Sequence, residues 1–75
     1  MLTKTEQSQV FMALSKETDK ARRALAKAER EQENVPFAYG GSAAWDISTL
    51  VVNLRRAQYR AACEAAESYF NTYLA

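Results

Sequence analysis

The chain has no histidine, one cysteine, one proline and two glycines among its 75 residues. Each scarcity excludes something. Histidine is the side chain that titrates nearest neutral pH, so its absence removes the commonest general acid or base. A lone Cys63 cannot close an internal disulfide, and without histidine it is a poor start for a zinc site. It has no imidazole to activate it as a nucleophile, so it reads as a small apolar residue suited to a reducing cytosol. No stretch approaches the ~20 apolar residues of a membrane span. The opening "MLTKTEQSQV" has no apolar core of signal-peptide length. One-sided charge is missing as well. Ten basic and nine acidic residues leave a net charge of +1, which does not announce a nucleic-acid or membrane binder. "YGGS" lacks the glycine spacing and lysine of a phosphate loop. Glu29/Glu33 and Glu64/Glu67 share helix faces, a pattern common on solvated helices. The expectation is a soluble cytoplasmic protein that is not an enzyme and has no cofactor, no metal and no membrane contact.

What is present is helical periodicity on both sides of one corner. Proline and both glycines fall within "NVPFAYGGSAAWD", residues 34–46. Upstream, Thr3 and Glu6 have capping-box spacing. Phe11, Leu14, Thr18, Ala21, Leu25 and Ala28 then alternate steps of three and four, the coiled-coil period. Pro36 cannot continue that helix and biases Val35 away from helical angles. The first helix is therefore expected at about 5–34, the connector at about 35–45. Ser42 is a candidate N-cap and Asp46 suits an early turn. A second helix is expected at about 43–73. Two helices of matched length on a short connector fold back on each other. The fold class is all-α: an antiparallel two-helix hairpin, one domain over residues 1–75, dimerising into a four-helix bundle.

The second helix carries two apolar stripes. Ile47, Val51, Leu54, Ala61, Ala65 and Tyr69, with Leu50 and Ala57 beside them, form the stripe expected to cover the first helix. Facing alanines, Ala21, Ala24 and Ala28 against Ala57, Ala61 and Ala65, would let the backbones approach closely. Opposite lie Val52, Tyr59, Cys63, Ala66 and Phe70, interrupted only by Arg56. A surface helix normally shows one apolar stripe, so this second one is expected to be a protein interface, most simply with a second copy. A small chain buries little of its surface alone and usually needs a disulfide, a metal or a partner. With the first two excluded, a partner remains.

Two further features carry expectations. Phe37, Tyr39 and Trp45 crowd the connector, either to cap the end of a dimer or to serve as a hot-spot loop for another protein. Lys16, Lys20, Arg23, Lys27 and Arg30 form one stripe of the first helix. An antiparallel hairpin sets Arg55, Arg56 and Arg60 level with them. This belt is either a solvated face or a phosphate contact, and its aromatics are not interleaved as a stacking platform would need. The leading expectation is a non-enzymatic interaction protein: an adaptor, chaperone or inhibitor, of the sort a phage or other mobile element encodes as an accessory protein. An RNA- or DNA-binding regulator using the basic belt is the alternative. A structural assembly subunit is the third.

Overall fold

A computed structural model of the chain describes residues 2–35 and 43–74. Helix α1 spans Lys4–Glu33 and helix α2 spans Ala43–Tyr69, which runs on into a π-helical turn, Phe70–Leu74. No strand occurs among the described residues. The expected two-helix hairpin is thus the fold. Pro36, Phe37, Tyr39, Gly40, Gly41 and Ser42 lie outside the described residues, and with them most of the expected connector and the expected N-cap of α2.

The start of α1 follows from its first letters. The Glu6 amide donates to Thr3 Oγ1 at 3.1 Å, and the Thr3 amide donates to Glu6 Oε1 at 3.2 Å. This reciprocal box satisfies two amides that would otherwise lack a helical acceptor. At the other end the Asn34 amide donates to Glu31 O and the Val35 amide to Gln32 O. The Asn34 side chain donates to Arg30 O as well. The helix therefore closes with tightened turns that pair its last carbonyls, one residue before the proline ring would forbid continuation.

The two helices lie antiparallel in one register. Thr18 Oγ1 donates to Ala62 O at 3.3 Å, Gln32 Nε2 donates to Thr49 Oγ1 at 2.7 Å, and the Phe11 and Phe70 rings stand 5.5 Å apart. In these pairs, 18 with 62, 32 with 49 and 11 with 70, the two residue numbers add to 80 or 81. Ala28 and Val52 are the most buried apolar residues, at 7% and 5% exposure. Their numbers add to 80, so they sit at one level of the same seam. Phe11, Leu14, Thr18, Ala21 and Leu25 are all at least half-withdrawn from solvent, on the α1 face that the periodicity indicates.

The result is a rod of 58 × 15 × 15 Å with a radius of gyration of 17.1 Å. A compact chain of this length has a radius of about 11 Å. The surface area is 5914 Å² for a mass of 8.4 kDa. The usual scaling gives roughly 4,600 Å² for a folded monomer of that mass, so the hairpin exposes about 1,300 Å² more. Two helices side by side bury one face each and no more.

Candidate protein-interaction surface

The seam settles which face of α2 meets α1, and it reverses the expectation. Val52, Tyr59, Ala62, Cys63, Ala66 and Tyr69 are turned inward, together with Trp45, Ser48 and Thr49 at the start of the helix. Four of the five residues assigned to an external interface, Val52, Tyr59, Cys63 and Ala66, are therefore seam residues. Phe70, the fifth, remains 42% exposed while its ring packs on Phe11. The stripe expected inside is outside. Ile47, Leu50 and Leu54 are 61%, 68% and 54% exposed. Val51, Ala57, Ala61 and Ala65 are exposed with them, so Ala57, Ala61 and Ala65 do not face the alanines of α1. Tyr69 alone of that stripe turns inward.

The physical reason lies in how bulk is spread along each stripe. The inner one carries Trp45, Val52, Tyr59 and Tyr69, which reach from the first turn to the last. The outer one has its large residues only between Ile47 and Leu54, followed by alanines. A helix that must be covered along its whole length gains more burial from the first distribution, because apolar stabilisation scales with area removed from water. The polar atoms of the inner face also find partners. Thr49 pairs with Gln32, and the Thr18 hydroxyl donates both to its own Leu14 O at 3.0 Å and across to Ala62 O. Tyr69 Oη is the exception: it is buried with no hydrogen-bond partner.

Cys63 is a free thiol half-buried in this seam. It pushes the Tyr59 phenol above its ordinary value, first through their hydrogen bond and then through the charge of the thiolate. Burial and Asp19 push the same way, while Arg22 opposes them. The pair is thus part of the packing between the helices, one turn apart on α2.

The outer face is uncharged along its central line from Ala43 to Ala61. At 100° per residue, Ala43, Ile47, Leu50, Leu54, Ala57 and Ala61 fall within about 40° of one line. Their steps of four, three, four, three and four repeat the coiled-coil period. Asp46, Asn53, Arg60 and, past Ala61, Glu64 flank one side of the line. Near the corner the face runs into an open, mostly apolar groove of about 350 Å³ between the helices, lined by Ala28, Val35, Ala44, Ile47 and Val51 with Glu31 and Ser48.

The basic belt is dispersed. Lys16, Lys20, Arg23, Lys27, Arg30, Arg56 and Arg60 are exposed, and Arg55 is half-buried. Lys20 and Arg55 line one groove with Glu17 and Gln58, and Arg55 Nη1 donates to Gln58 Oε1 at 2.9 Å. Lys27 stands 4.0 Å from Glu31, and Arg22, outside the belt, 3.3 Å from Asp19. Such exposed pairs contribute little to stability, but they place carboxylates among the cations. Of the aromatic connector residues, Phe37 and Tyr39 lie outside the described residues, and Trp45 sits half-buried in the first turn of α2. Among the described residues no three acidic or cysteine side chains converge on a metal-sized site, and no helix is long and apolar enough to cross a membrane.

No family model, no curated protein and no solved structure matches the chain.

Proposed function

We propose that this protein acts without catalysis, as a small interaction module that binds protein through the outer face of α2. The observation that supports it most is the exposure of Ile47, Leu50 and Leu54, each more than half open to water along one uncharged line. Large contiguous apolar patches are uncommon on monomers and mark interaction sites. Dimerisation is the simplest use of such a face, and adaptor, chaperone or inhibitor are the roles a two-helix rod of this kind can fill in a cytoplasm. Apart from Ile47 and Val51 at the corner, the exposed face lies opposite the seam rather than beside it. Two hairpins joined there would set four helices in a row, in place of a square four-helix bundle around one core. A nucleic-acid regulator is the rival reading, and the carboxylates interleaved with the belt weigh against it.

The test is capture on tagged wild type and on a tagged Leu50→Glu/Leu54→Glu variant whose helicity is verified by circular dichroism. A protein, whether this chain or another, held by the wild type and released by the variant supports the reading. Equal retention by both overturns it.

A further inference from the structure

We propose that the outer face of α2 is occupied by the same face of a second copy, antiparallel, with Leu50 and Leu54 of each chain packed on the partner's Leu54 and the partner's Leu50. The inference rests on the protein-binding reading above and names the occupant. Three features of the chain converge on it.

The first is steric self-complementarity. In an antiparallel pair centred between residues 50 and 54, Leu54 faces the partner's Leu50. The next layer sets Ile47 against the partner's Ala57, and the next sets Ala43 against the partner's Ala61. Two-fold symmetry repeats each layer. Large residues meet small ones on either side of a leucine centre, which is how facing side chains fill a seam without voids. The crowding of bulk at one end of the stripe, unhelpful for covering α1, becomes useful once the partner runs the other way.

The second is charge. Asp46, Asn53 and Arg60 recur every seven residues along one flank of the stripe. Antiparallel helices bring like flanks together. The same register places Asp46 beside the partner's Arg60, places Arg60 beside the partner's Asp46, and brings the two copies of Asn53 together near the axis. Opposite charges therefore meet twice and like charges do not, the arrangement that fixes register in helix pairs.

The third is area. The hairpin exposes about 1,300 Å² beyond the expectation for its mass, while a standard interface covers roughly 800 Å² per partner. The stripe from Ala43 to Ala65 is about 33 Å long, enough to bury a surface of that order on both sides.

The experiment is a charge exchange read by analytical ultracentrifugation on the full chain across the micromolar range. Wild type sediments as a dimer. Asp46→Arg sets arginine against the partner's Arg60 at both ends, and Arg60→Asp sets aspartate against the partner's Asp46. Each variant alone dissociates at concentrations at least tenfold higher than wild type does. Mixed in equal amounts, the two restore the dimer as a heterodimer, because every flank contact then pairs opposite charges; recovery on mixing also shows that both variants fold. In a Cys63→Ser background, Asn53→Cys forms an intermolecular disulfide on mild oxidation, since the two-fold axis passes close to it. A wild-type dimer whose variants show no weakening, or no recovery on mixing, overturns this pairing and leaves the protein-binding reading standing. A wild type monomeric throughout overturns the second copy as occupant, and the capture on Leu50→Glu/Leu54→Glu then decides the broader reading by itself.

Discussion

Val52→Ala tests the assignment of the seam directly. Val52 is 5% exposed and lies level with Ala28. Truncation removes two buried carbon groups, each worth about 0.8 kcal/mol of transfer free energy. The cavity left behind adds to the loss, since a seam of alanines collapses only in part. Alanine returns about 0.5 kcal/mol through its better helix propensity. The net cost is about 1.5–2 kcal/mol. In a domain of this size that lowers the melting temperature by roughly 6–15 °C. Leu54→Ala is the control. Leu54 is already 54% exposed, and in the monomer its truncation costs less than about 0.5 kcal/mol, the usual range for surface positions. Thermal unfolding followed by circular dichroism, at dilutions where only monomer is present, gives both values. If Leu54→Ala destabilised the monomer more than Val52→Ala, the two faces of α2 would be assigned the wrong way round.

Tyr69→Phe removes a buried hydroxyl that has no partner. Chemical denaturation should show it neutral to stabilising by about 1 kcal/mol, the cost of desolvating an unpaired polar group; a clear loss of stability would mean that the hydroxyl is bonded. Tyr59, held protonated by Cys63, binds its proton more tightly in the folded chain than in the unfolded one. Its contribution is complete below the ordinary phenol value of about 10 and is lost as pH rises through the raised value. Stability measured by urea titration should fall across that alkaline window, and Tyr59→Phe should flatten the fall. Binding to RNA or duplex DNA should be weak and should vanish on going from low to physiological salt. Fluorescence anisotropy that instead shows tight binding at physiological salt, abolished by Lys20→Glu/Arg23→Glu/Lys27→Glu, would replace the protein-binding reading with the nucleic-acid one.

The hairpin was legible because its signals are local. Thr3 and Glu6 announce a cap at three-residue spacing, and the chain's only proline stands three residues past Glu33, the last residue of α1. The α1 seam from Phe11 to Ala28 was equally legible, because α1 has one apolar stripe and no competing face. On α2 periodicity could find both stripes but not rank them. Spacing reports direction around a helix; it does not report which direction the other helix occupies. That choice depends on where along the rod the bulk lies, and on polar partners such as Gln32 with Thr49 that are seventeen residues apart in sequence. The distribution of Trp45, Val52, Tyr59 and Tyr69 from end to end was the available signal, and stripe counting passes over it. The belt illustrates the same limit. Lys20 and Arg55 do come to one groove, as the antiparallel geometry requires, but Glu17 comes with them.

The most direct measurement for the central claim is the solution mass of wild type beside a single outer-face variant, Leu54→Glu, by sedimentation equilibrium across the micromolar range. The outer face of α2 as an interface between copies predicts twice the 8.4 kDa chain mass for wild type, and the mass of one helical chain for Leu54→Glu, because the carboxylate that each chain would bury near the centre of that interface has no partner of opposite charge. A wild type that sediments as a single chain at every concentration, or a Leu54→Glu variant that dimerises as well as wild type, would contradict it.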